Sequence, residues 1–231
     1  MRIALAEGAD RVELCAGLEV GGLTPSAGLI ELAVETARDA GVHDFVHVLV
    51  RPRPGGFYYD GVEIDVVLRD IRQARELGAA GVVVGVLDDA DLVDIDTTRA
   101  LVDAAGPLCV TFHRAIDVVP KPADAVAELA EVGVRRILSS GQAAHSTDGI
   151  ETLAAMVDRA AGRVQIVAGG NVRSADIASL AAAGVSAVHL SARRTVEGTA
   201  SGPGGGHARY EVTDATLVRQ AVDAAARLDA G

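Results

Sequence analysis

Near the middle of the chain, Thr111-Phe112-His113-Arg114-Ala115-Ile116-Asp117 places an imidazole, a guanidinium and a carboxylate within five residues. An imidazole and a carboxylate so close can move a proton on a bound molecule, and a guanidinium can hold that molecule's negative charge. Other groups with similar capacity are spread along the sequence. Glu13 and Cys15 stand two residues apart near the start. Arg51-Pro52-Arg53-Pro54-Gly55-Gly56 carries two guanidiniums stiffened by prolines, a pattern suited to a carboxylate or phosphate. Phe57, Tyr58 and Tyr59 follow, half of the six aromatic residues, and can either wall a pocket or pack on a rim. Gly169-Gly170-Asn171 opens a helical stretch and, with Ser191, offers backbone amides and a hydroxyl to an anion.

These residues need elements to hold them, and the chain supplies a repeat. Glycines 8, 41, 78, 106, 133, 162 and 184 each close an apolar helical stretch just before a β-rich run. Glycine is the expected left-handed cap at such ends because it has no Cβ to clash. The runs are Arg11–Cys15, Phe45–Arg51, Val82–Leu87, Leu108–His113, Arg136–Ser140, Gln165–Gly169 and Ala187–Ser191. Helices are expected at Ile30–Ala40, Glu63–Leu77, Asp96–Ala105, Ala123–Val132, Ile150–Ala161, Ser174–Ala183 and Asp214–Leu228. Strands alternating with helices at this spacing give a parallel sheet, and seven such units give a TIM (β/α) barrel over 1–231 as a single domain. An open doubly wound sheet is the alternative, but no G-x-G-x-x-G turn follows the first strand. The count is one strand short of eight, and the chain begins on what reads as a helix tail, Arg2–Glu7. A Gly-rich stretch, 196–210, reads as a flexible loop near the barrel mouth, either a lid or a plain connector.

Alternation along each strand sorts side chains into outward and inward sets. Val12 and Leu14 face the helices, so Glu13 and Cys15 point inward; His47, Leu49 and Arg51 do the same on the second strand. Cys109, Thr111 and His113 are inward on the fourth, His189 and Ser191 on the last. The parity of the third, fifth and sixth strands stays open. Barrel interiors are normally branched and apolar, so Glu13, Arg51, His113, His189 and Ser191, clustered toward strand C-termini, mark a ligand site. The alternative is a structural network such as a Glu13–Arg51 ion pair, and the deeper His47 fits a satisfied core histidine.

Composition narrows the classes. With 49% hydrophobic residues, 231 residues can bury a full core, and the net charge of -11 opposes a nucleic-acid surface. No apolar run is long enough to span a membrane and no signal-peptide pattern is present, so a cytoplasmic protein is expected. Cys15 and Cys109 form no C-x-x-C pair.

The segments Ala9-Asp10-Arg11-Val12-Glu13-Leu14-Cys15, Gly21-Gly22-Leu23-Thr24-Pro25-Ser26, Arg51-Pro52-Arg53, Thr111-Phe112-His113-Arg114-Ala115 with Asp117, and Ser140-Gly141 together resemble the CutC family of copper homeostasis proteins. The resemblance covers nearly the whole chain. It implies a TIM barrel, a cytosolic location, a role in copper handling, and an N-terminal strand with a Leu-Glu-Ile-Cys-like start that this chain lacks. Cys15 is the position that carries over for Cu(I).

Three functions follow. The first is copper homeostasis, with Cys15 as metal ligand. Cu(I) prefers two or three soft ligands, and Cys109 falls about 15–20 Å away at the other end of its strand. One chain then offers Cys15 alone or with a histidine, or a site shared between subunits. The second is an enzyme of isomerase, lyase or aldolase type acting on a small anionic metabolite, such as a phosphorylated one. There His113 and Glu13 exchange a proton, Asp117 assists, and Arg51, Arg53, Arg114, Gly169, Gly170, Asn171 and Ser191 hold the anion. The single lysine, Lys121, opposes Schiff-base chemistry. The third is a non-catalytic, homo-oligomeric binding protein.

Overall fold

The computed structural model describes residues 1–199, 202–203 and 209–229. A short helix, α1 (Arg2–Ala6), leads into seven β/α repeats. Their strands are β1 (Val12–Leu14), β2 (Val46–Leu49), β3 (Gly81–Val84), β4 (Cys109–Phe112), β5 (Arg136–Ser139), β6 (Gln165–Gly169) and β7 (Ala187–His189). They form one parallel sheet in sequence order, the wall of a TIM-type barrel with β1 and β7 as its two edges. The helices are α2 (Ala27–Asp39), α3 (Gly61–Glu76), α4 (Ile95–Ala105), α5 (Pro122–Glu131), α6 (Ile150–Ala160), α7 (Ile177–Ala182) and α8 (Ala215–Asp229). The expected Ser174 start of the seventh helix is a 3-10 turn, Ser174–Asp176, running into α7.

Local chemistry sets the helix starts. Ser26 accepts a hydrogen bond from the Leu29 N–H at the head of α2. Asp60 and Glu63 form a reciprocal capping box at the head of α3. Asp94 caps α4 through the Thr97 N–H, and Pro122 occupies the first turn of α5, where a missing N–H costs nothing.

The core is aliphatic and sits between sheet and helices. Val46, Val48, Val50, Val82, Val84, Val110, Phe112, Ile137, Ile166 and Ala168 pack with helical Ile30, Ile71, Leu101, Leu129, Leu153 and Leu180 in one buried cluster. Leu49, Val83, Leu138 and Val167 are also buried but stand outside that cluster; they fill the barrel interior. This settles the parity that sequence left open. Gly81, Val83 and Gly85, then Arg136 and Leu138, then Val167 and Gly169 face inward.

Beyond β7, β8 (Arg193–Glu197) and β9 (Arg209–Thr213) form an antiparallel ribbon. The ends of the expected 196–210 loop belong to this ribbon, and its residues 200–201 and 204–208 lie outside the described residues. Among the described residues no helix is long and apolar enough to cross a membrane.

Candidate functional site

His113 directly follows β4, and its backbone N–H donates to the Val84 carbonyl (2.8 Å), which fixes the inward direction of its side chain. The imidazole is 6% exposed. It lies over Gly85, where any Cβ would collide with the ring. Nδ1 accepts a hydrogen bond from the Ala115 N–H (3.1 Å). That bond assigns the proton to Nε2, which is buried and has no acceptor among the described residues. Burial, then the nearby Arg51 charge, holds the ring's pKa down to about 3. His113 is therefore a neutral hydrogen-bond donor.

Arg51, 7% exposed, follows β2. Nη1 donates to the carbonyls of Val20 (3.3 Å) and Gly22 (3.2 Å), and Nη2 to that of Gly55 (2.6 Å). The guanidinium thus latches the loop after β1 to the loop after β2. Its Nε is buried without an acceptor among the described residues. Phe57 covers both groups, 4.9 Å from the His113 ring and 5.3 Å from the Arg51 guanidinium carbon. Two buried donors without acceptors therefore flank one aromatic ring.

Glu13 does not pair with Arg51. Its partner is His189, with 3.9 Å between Oε2 and Nδ1. Cys15, two residues on, lies beside Gly22. Burial and then the Glu13 carboxylate push the thiol up to about 11.

Asp117 organises the neighbouring rim. Its carboxylate accepts from Arg114 Nε (2.8 Å), Ser139 Oγ (2.6 Å), Ser140 N (3.0 Å) and Ser140 Oγ (2.9 Å). Arg114 Nη2 also donates to Ser140 Oγ (2.9 Å). Gly170 packs against this clamp, since a Cβ there would stand 2.7 Å from Ser140 Cβ and 3.7 Å from Arg114 Cζ. Its carbonyl accepts from the Ser146 N–H and hydroxyl. Asn171 takes a left-handed φ of 50° and donates to the Ala144 carbonyl. Gly169 sits against Leu138 and His189.

The structure thus brings together His113, Arg51 and Phe57, then Glu13 and His189, then Asp117, Arg114 and Gly170. It leaves two residues apart from them. Arg53 donates to both Glu63 oxygens and to the Tyr58 carbonyl, and stacks on Tyr59 at 5.0 Å. Ser191 is exposed. Of the three aromatics that sequence offered as a pocket wall, Phe57 is the one that covers His113 and Arg51, and Ser139, a weak sequence signal beside Ser140-Gly141, donates to Asp117. Among the described residues no group of three His, Cys, Asp or Glu side chains is placed to share a metal ion. Cavities open between the outer helices, around Val34, Arg38 and His43 and around Arg2, Leu5 and Thr36, away from these groups.

Comparison with known proteins agrees with this architecture. The sequence profile of the CutC family matches residues 1–194. A CutC family protein of Xanthomonas campestris pv. campestris (strain 8004) is 42% identical over 222 residues, covering 93% of this chain and 90% of its own length. One from Bacteroides thetaiotaomicron is 43% identical over 195 residues, covering 84% and 77%. The crystal structure of a CutC protein from Streptococcus agalactiae, named for copper homeostasis, has a TM-score of 0.72 at 33% identity, over 78% of this chain and 87% of that one. The chain belongs to the CutC family.

Proposed function

We propose that the C-terminal mouth of the barrel binds a small oxygen-rich anion and acts on it as an isomerase or lyase. The observation that carries this reading is the pair of buried donors without acceptors, His113 Nε2–H and Arg51 Nε–H. An unsatisfied buried donor costs about 1–3 kcal/mol, and a carbonyl or carboxylate oxygen of a ligand would relieve both. His113 stays neutral and polarises that oxygen, while Glu13 is the group that takes up or returns a proton. Arg114, Gly169, Gly170 and Asn171 shape the adjoining rim, and Asp117 holds Arg114 in place. Arg53 and Ser191 serve the site only indirectly, through the loops they stand on. Phe57 must move off His113 for a ligand to enter, which makes the 52–59 loop the gate.

A thermal-shift screen of small carboxylates, hydroxyketones and phosphate esters tests this. At least one should raise the melting temperature of the parent chain, and His113→Asn should lose that rise. No stabilising compound, or equal shifts in both proteins, would overturn the reading.

Copper handling, which the name of the Streptococcus agalactiae relative attaches to that protein, is a second reading. It is favoured by the position of Cys15 at this same mouth. One thiol whose pKa stands at about 11 binds Cu(I) only by releasing its proton, so uptake should rise with pH. A complete site would need sulfur from a second copy, consistent with a homo-oligomer. Titration of reduced protein with Cu(I) separates the readings: Cys15→Ser should abolish uptake, and equal uptake by both proteins removes the copper site. A cytoplasmic location belongs to both readings.

A further inference from the structure

At the end of the barrel opposite His113, four side chains that the chemistry above does not use come together. Arg11 immediately precedes β1, His47 lies on β2, Cys109 opens β4 and Arg136 opens β5. The register sets His47, Gly81 and Cys109 side by side across three strands, with Arg136 beside Gln165. Arg136 Nη1 donates to Cys109 Sγ (2.8 Å) and Nε to Gln165 Oε1 (2.8 Å). His47 is 5% exposed and lies over Gly81, where a Cβ would collide with its Nδ1. That Nδ1 is buried with no hydrogen-bond partner among the described residues.

Asp10 acts on Arg11 and Asp44 on His47 at this end, but the repulsion from the guanidiniums outweighs both carboxylates. Among the described residues Arg11 donates to no acceptor, and neither Arg11 nor Arg136 forms an ion pair with a carboxylate. Burial, then repulsion from Arg136, pushes Arg11 below its ordinary range. Burial, then Arg136 and Arg11, holds His47 down to about 4. Two guanidiniums close enough to repel each other, partly out of water and in a chain of net charge -11, raise the free energy of the fold unless something negative sits between them. The same pair repels a metal cation.

We propose that the N-terminal end of the barrel is a second binding site, where Arg11, Arg136 and His47 hold a tetrahedral oxyanion of the phosphate class. Planar guanidinium forks match pairs of phosphoryl oxygens. An imidazole nitrogen can give a hydrogen bond to a third oxygen or take one from its hydroxyl, and hydrogen phosphate offers both. Cys109 reports on the site, because an anion on Arg136 both shields the thiol and disfavours its thiolate.

The test is alkylation of Cys109 in the full chain by iodoacetamide, read by peptide mass spectrometry, with inorganic phosphate replacing chloride at constant ionic strength. Phosphate at about ten times its dissociation constant should slow the reaction about tenfold. Arg11→Gln and Arg136→Gln should each lose the phosphate dependence while keeping the parent's far-UV circular dichroism. Among the described residues Arg11 makes no hydrogen bond or ion pair that its substitution would break, so its variant carries the test if Arg136→Gln misfolds. A parallel arm with glycerol phosphate distinguishes a free ion from the phosphoryl end of a larger molecule; slowing by inorganic phosphate alone assigns the free ion, and slowing by both assigns the shared group. A rate in the parent chain that ignores phosphate, or equal protection in Arg11→Gln, overturns the site.

Discussion

Glu13 on β1 and His189 on β7 face each other at 3.9 Å across the junction of the barrel wall that no strand pairing closes among the described residues. The two edge strands are therefore joined at the mouth by side chains. The His189 side chain is 40% exposed and that of Glu13 19%, so solvent screens the pair and its coupling should be below about 1 kcal/mol. A double-mutant cycle of Glu13→Gln and His189→Ala in urea unfolding measures it. A coupling above about 2 kcal/mol would make the pair a structural clasp and remove Glu13 from the proton-moving role. Glu13→Gln should also lower the Cys15 pKa from its value of about 11, since the carboxylate is one cause of that rise; the pH dependence of Cys15 alkylation reads the change.

His113 and His47 make the protein acid-labile. Both have folded pKa values below the ordinary 6.5, about 3 and about 4. Between those limits the unfolded chain binds protons that the folded chain refuses. Their contribution is full above about pH 6.5 and is lost as the pH falls, by about 1.4 kcal/mol per unit for each ring. His113→Asn keeps an oxygen near the position of Nδ1 to accept from Ala115, yet has nothing to protonate. Its urea midpoint should fall less steeply than the parent's between pH 6.5 and 4.5. Identical slopes would mean that His113 is already charged in the fold.

How much of this was legible in the sequence depends on the distance a contact spans. Strand alternation was enough to aim Glu13, Arg51 and His113 inward, because the pleat decides that locally. The partners of those groups were not legible. Arg51 finds its carbonyls 4 to 31 residues away in two loops, and Glu13 finds His189 on the opposite edge, so neither match leaves a mark in local spacing. The open parity of β3 and β6 has a physical cause as well. Gly81, Gly85 and Gly169 face the interior but carry no side chain to announce it, and their role is to leave room for His47, His113 and Leu138. His47 read as a satisfied core histidine; it is buried as expected, but its Nδ1 has no hydrogen-bond partner among the described residues.

Asp117 holds the rim together through its own hydrogen bonds rather than reaching toward a ligand. Its carboxylate gathers Arg114 and two serines of the strand β5 end. Asp117→Asn turns an amide nitrogen toward donors that need an oxygen. It should cost roughly 3 kcal/mol in urea unfolding. A loss under about 0.5 kcal/mol would show that the clamp is not formed in solution, and Asp117 would return to the list of catalytic groups.

Gly85 offers the sharpest test of where the His113 ring lies. A Cβ at this position would overlap Cε1 and Nδ1 of the imidazole and come within 3.1 Å of the Ala115 Cβ. Gly85→Ala must push the ring off the strand and break its bond to the Ala115 N–H, an overpacking cost of about 1–3 kcal/mol. If the imidazole is removed first, as in His113→Ser, most of that collision disappears. The two substitutions should therefore be strongly non-additive in urea unfolding, with Gly85→Ala costing far less in the His113→Ser background than in the parent. Additive losses would place the ring elsewhere, and the neutral donor assigned to Nε2 would lose its geometric basis.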